Sequence, residues 1–115
     1  MPTSEVDYHF EANEPGVKDI YNRLLTSLKK LGPVKEAAKK SSIHLENKSG
    51  FAGVHPRKTY LNLVIRTSYK IDSPRVQKSE QVSKNRFHHT IKLETVDDID
   101  DELLGWLKEA YQLST

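Results

Sequence analysis

Apolar residues near the start of the chain recur at helical spacing. Val17, Ile20, Tyr21, Leu24, Leu28 and Leu31 fall on one stripe, with Lys18, Asp19, Arg23, Lys29 and Lys30 mostly off it. The pattern predicts a helix over about 17–31 with one face to bury. Pro15-Gly16 marks its start and Gly32-Pro33 its end, because Gly accepts a terminating conformation and Pro cannot continue the ladder. The period then falls to two. Ile43 and Leu45 alternate with Ser42, His44 and Glu46, and Asn47-Lys48-Ser49-Gly50 reads as a turn into Phe51-Ala52-Gly53-Val54-His55, which makes a hairpin. A second reversal at Pro56-Arg57-Lys58 leads to a strand over Thr59 to Thr67. Leu61, Leu63 and Ile65 face one side of it, and Tyr60, Asn62, Val64 and Arg66 the other.

Residues 68–84 are polar and contain Pro74, so they read as a long loop, with an irregular strand near Val76 to Val82 as the alternative. The alternation returns over Arg86 to Glu94, where Phe87, His89, Ile91 and Leu93 oppose Arg86, His88, Thr90 and Lys92. A closing helix is marked by Ile99, Leu103, Trp106, Leu107, Ala110 and Tyr111. Thr95 or Asp97 is placed to cap it, and Asp98, Asp100, Asp101 and Glu102 complement its positive end. The expectation is an α+β domain of order α-β-β-β-β-α, with two helices on one face of an antiparallel sheet of about four strands. Residues 1–14 form an N-terminal extension of this single domain.

Composition narrows the class. The chain has 115 residues, 36% hydrophobic and 30% charged, enough for one modest core. Cysteine is absent, so neither disulfides nor thiolate chemistry are available. Met1 to Phe10 carries Glu5 and Asp7 and no apolar run, and no stretch is long enough to span a bilayer, so a soluble cytoplasmic protein is expected. The net charge of +2 conceals an uneven layout. Residues 33–92 hold thirteen bases and four acids, whereas residues 1–15 hold four acids and no base, and residues 93–115 hold seven acids and one base. A basic middle of this kind suits nucleic acid or another anion, and equally suits a sheet face solvated by lysines.

The candidate ligand-binding set follows from that segment. It comprises the turn His55, Arg57 and Lys58, together with Arg66, Arg86 and His88 on the polar sides of two strands. Guanidinium forks, an ammonium and turn N–H groups suit a carboxylate or phosphate. Lys70, Arg75, Lys78 and Lys84 in the 68–84 segment are placed to fold over such a ligand. Neighbours in a strand point to opposite faces, so His88 and His89 cannot readily hold one metal ion, and His89 reads as a hydrogen-bonded core histidine. Glu46-Asn47-Lys48 matches the Glu-x-Lys element of one class of metal-dependent nucleases. That chemistry needs a second carboxylate, and the nearest upstream acids are Glu36 and Asp19. Phosphate-loop, dinucleotide, esterase-elbow and zincin signatures are missing. The expectation is therefore a non-catalytic module with no cofactor and no metal, binding an anionic ligand, a nucleic acid or a partner protein. A metal-dependent nuclease is the alternative. Tyr60 and Val64 mark a face on which two copies would pair.

Phe87-His88-His89-Thr90-Ile91-Lys92-Leu93, then Val96-Asp97-Asp98-Ile99-Asp100 and Leu104-Gly105-Trp106-Leu107-Lys108-Glu109-Ala110-Tyr111, resemble the end of the family called domain of unknown function 5655. Phe10, Pro15-Gly16-Val17, Leu31-Gly32-Pro33, Phe51-Ala52-Gly53-Val54-His55-Pro56 and Leu61-Asn62-Leu63 extend the resemblance over nearly the whole chain. It implies a fold more than a function. Similar members stand alone or end longer bacterial proteins, some resembling restriction-associated proteins and some labelled as transport proteins. For this chain the transport label implies a soluble accessory component, and the resemblance supplies no catalytic residue.

Overall fold

The computed structural model describes residues 14–39 and 42–114, so most of the expected 1–14 extension lies outside the described residues. Two helices and one antiparallel sheet make up the fold. Helix α1 runs Pro15–Lys29; strands follow as β1 Lys35–Ala38, β2 Ile43–Glu46, β3 Gly50–Pro56, β4 Leu61–Thr67, β5 Val76–Ser83 and β6 Arg86–Leu93. A 3-10 turn Val96–Asp98 then leads to α2, Asp101–Leu113. The sheet has six strands in the order β1-β2-β3-β4-β6-β5, not about four. Both additional strands are edges. β1 is Lys-Glu-Ala-Ala, composed of helix-favouring residues, and β5 is Val-Gln-Lys-Ser-Glu-Gln-Val-Ser, largely exposed. Short or charged sequences of this sort are how edges resist pairing with other chains, and they erase the alternation that marks a central strand. The stretch expected as a loop over 68–84 is accordingly a loop only to Arg75, after which the irregular strand of the alternative reading begins. That strand is irregular in fact, with register shifts between Val76 and Lys78 and between Gln81 and Ser83.

One face of the sheet carries the core. Ile43, Leu45, Ala52, Val54, Leu61, Leu63, Ile65, Ile91 and Leu93 pack against Val17, Ile20, Tyr21, Leu24 and Leu28 of α1 and Leu103, Leu107, Ala110 and Tyr111 of α2. The periods of two and 3.6 seen in the sequence therefore meet at one interface. A register shift between Leu45 and Glu46 breaks the alternation at the start of β3. Phe51 and Ala52 are consequently both buried, and Phe51 meets Tyr111 edge-on at 5.2 Å. The Tyr111 hydroxyl donates to the Pro33 carbonyl at 2.9 Å, fixing the exit of α1. Gly32 has φ 149°, and a β-carbon there would run into that hydroxyl, so glycine is needed on both counts.

Strands β4 and β5 run in the same direction with β6 between them, so the connection 68–75 must cross β6. It crosses on the helix side, where Ile71 is buried and His89 of β6 is 0% exposed. The His89 ring ties the crossing together. Nε2 lies 3.1 Å from the Tyr69 carbonyl and 2.9 Å from Thr67 Oγ1, and Nδ1 lies 2.9 Å from Ser79 Oγ. The carbonyl can only accept, so Nε2 carries the proton and Nδ1 accepts from Ser79. At the far end, Arg75 donates to Asp100 Oδ1 at 2.8 Å, Glu102 Oε1 at 3.1 Å and the Asp98 carbonyl at 2.7 Å, and lies 5.9 Å from the Trp106 ring centre. Asp100 in turn accepts from the Leu103 N–H at 3.0 Å, capping α2. Arg75 is thus a tie to the start of α2, where three acceptors meet its donors.

Two outcomes are expected. Arg75→Ala should destabilise the fold by about 1–2 kcal/mol in chemical unfolding, because charged hydrogen bonds at a partly exposed site are lost. The second concerns pH. Burial holds the His89 imidazole below its ordinary value of 6.5, as does Lys70, and the bond to Tyr69 opposes them only in part. The unfolded chain then takes up the proton first, so stability is full above 6.5 and falls as pH drops through and below it. His89→Gln should be less stable at neutral pH and should show a flatter decline between pH values on either side of 6.5.

Candidate anion site

The six candidate ligand-binding residues divide between two ends of β4. His55 pairs with Asn62 across β3 and β4, and Arg57 and Lys58 occupy the turn beyond it, closed by Arg57 N–H to the Tyr60 carbonyl at 2.8 Å. The Lys58 carbonyl accepts from the Glu14 N–H at 2.9 Å, so the turn backs onto the start of α1. Arg57 and Lys58 are exposed, and His55 is half-buried. Burial lowers the affinity of His55 for a proton, and Arg57 and His44 lower it further.

Arg66 lies five residues along β4 from Leu61, which at a strand's rise is about 16 Å away. There the register places Arg66 directly across from His88, and Arg86 precedes His88 by two positions on the same strand face. Arg66, Arg86 and His88 line one pocket of about 200 Å³ with Ser49, Gly50, Val82 and the end of α2 at Ala110, Leu113 and Ser114. The pocket splits the set because a strand's length separates the turn from the far end. Arg66, Arg86 and His88 therefore share one pocket, and His55, Arg57 and Lys58 lie outside it.

The charged side chains that line the pocket are both basic. Arg66 Nη1 donates to the Gly50 carbonyl at 3.1 Å and Arg86 Nη1 to the Asn85 carbonyl at 3.0 Å. Neither guanidinium forms an ion pair among the described residues, in contrast to Arg75. Each retains further donors on its fork. The His88 imidazole is held below its ordinary range by burial first and then by Arg66, with Glu80 opposing and His89 adding to the shift. Ser49, Gly50 and Ser114 carried no sequence signal as site residues, although Asn47 to Gly50 was legible as a turn.

The remaining chemistry disperses. His88 and His89 face opposite sides, as their adjacency in a strand requires. Glu46 pairs with Lys35 on one face, whereas Glu36 shares the other with Leu45 and accepts from the Tyr21 hydroxyl. Glu36 and Glu46 therefore do not converge as a metal clamp, and no cluster of three candidate metal-ligating side chains occurs among the described residues. Lys78 sits 3.9 Å from Glu80 on β5. Tyr60, on the face with Val64, lies 4.5 Å beneath the Lys92 ammonium. No helix among the described residues is long and apolar enough to cross a membrane.

A model described as "Domain of unknown function (DUF5655)" matches residues 6–114. No curated protein and no solved structure matches the chain.

A β-carbon at Gly50 would lie 2.8 Å from Arg66 Nη1, the far end of a flexible side chain. Gly50→Ala should change unfolding stability by less than about 1 kcal/mol. It should also shift the Arg66 side-chain N–H resonance as the guanidinium leaves the Gly50 carbonyl; an unmoved resonance would contradict the arrangement.

Proposed function

For this chain, which belongs to the domain of unknown function 5655 family, we propose a non-catalytic binding role in which the Arg66, Arg86 and His88 pocket takes an anionic group, phosphate or carboxylate. One observation carries the reading. Two guanidinium groups without carboxylate partners among the described residues converge on one concavity with a half-buried imidazole. A planar fork with unused donors is matched by two oxygens of a phosphate or carboxylate. The two guanidinium groups support a binding role, since guanidinium holds an anion without exchanging protons near neutral pH. The surplus of bases over residues 33–92 supports a nucleic-acid phosphate as the source of the anion.

The test is a titration of inorganic sulfate and of short fluorescent DNA and RNA at two salt concentrations. Oligonucleotide affinity should fall with salt, and Arg86→Ala, at an exposed position, should weaken binding and reduce the log–log slope by about 0.7–0.9. Sulfate keeps its charge across the range, so its affinity should rise as pH falls through the His88 titration, because a bound anion favours the imidazolium that Arg66 now disfavours. Binding of sulfate without oligonucleotide would leave a small-ligand site. Binding of neither at low salt would remove the proposal.

A further inference from the structure

Gly105 stands in the interior of α2, where glycine is disfavoured against alanine by the backbone freedom it loses. Nothing within the fold asks for it. The residue is exposed, and a β-carbon there would meet no atom within 4 Å. An omitted side chain on an open helix face allows a close approach from outside. Gly105 also floors a groove of about 300 Å³ between the helices, lined by Ser27, Lys30 and Leu31 of the α1 end and by Leu104 and Lys108 of α2.

The helix stripe through that groove reads Asp101, Leu104, Gly105, Lys108, spaced three, four and seven residues from its first member and so on one face. Its chemistry is self-complementary: an acid, an apolar knob, a gap and a base. Asp101 and Lys108 are both exposed, and neither forms an ion pair among the described residues. We propose that this stripe is an isologous interface between two copies of the chain. Two α2 helices laid antiparallel, with the two-fold axis passing between Leu104 and Gly105, put Leu104 over Gly105 of the second copy. The same operation sets Asp101 opposite Lys108 of the second copy, and symmetry repeats both contacts. Lys30 adds a second cation to the groove into which the second copy brings its acid. A shared surface of two helical turns belongs to the weak, reversible class, with a dissociation constant on the order of 100 μM.

The experiment is sedimentation equilibrium of the full chain and its variants up to about 1 mM, ten times that dissociation constant. The unaltered chain should form a reversible dimer. Gly105→Gln, whose side chain enters open space in the monomer, should keep the helical circular dichroism and lose the dimer. Asp101→Lys and Lys108→Asp, each alone, place like charges together twice and should weaken self-association by about tenfold or more. Mixing those two variants restores both attractive pairs, so a mixed dimer should form with near-original affinity. A chain that is monomeric throughout would overturn the proposal. So would a dimer that Gly105→Gln leaves intact, or charge variants that self-associate unchanged and gain nothing on mixing. None of these readings depends on whether the Arg66 pocket binds an anion.

Discussion

The connection between β4 and β5 has to cross β6, and the buried ring of His89 holds that crossing down. A polar side chain on an otherwise apolar sheet face is costly unless both ring nitrogens are satisfied. Here the partners come from both arms of the crossing: Thr67 and the Tyr69 carbonyl on one side, Ser79 on the other. Satisfying one imidazole therefore fixes the end of β4, the start of the crossing and the middle of β5 together. Arg75 completes the hold at the start of α2, where Asp100 serves at once as helix cap and as ion-pair partner.

That arrangement also determines which cations remain for other duties. The acids at the start of α2 absorb Arg75, and Glu80 lies beside Lys78. Arg66 and Arg86 are left at the opposite end of the sheet with backbone carbonyls as their partners. The basic surplus of the central segment is thus divided by topology into structural ties, an exposed turn and one concave cluster.

The two helices cover the core face with unequal demands on their own surfaces. α1 buries Val17, Ile20, Tyr21, Leu24 and Leu28, and α2 buries Leu103, Leu107, Ala110 and Tyr111. Leu104 and Gly105 remain on the flank between them, where α2 shows a knob and a gap side by side. Leu104 is half-buried at the edge of the core, and the exposed Gly105 beside it is open to contact with something else.

The sequence by itself determined both helices, the β2–β3 and β3–β4 hairpins, the central strand and the last strand. Outside β3, where the bulge breaks the alternation, apolar residues recur at the period of the element and one face is buried. It also determined the family, through residues spread over nearly the whole chain, and the place of His89 on the core side. Edge strand β1 escaped it and β5 was legible only as an irregular strand within the 68–84 loop, because exposed strands need no apolar alternation and carry helix-favouring or charged residues instead. The candidate site was legible as residue types and not as a set: Arg66, Arg86 and His88 read the same as His55, Arg57 and Lys58. Only strand register joined the first three and set the other three about 13 Å and more away, since proximity across a sheet is fixed by pairing between distant segments and not by local pattern.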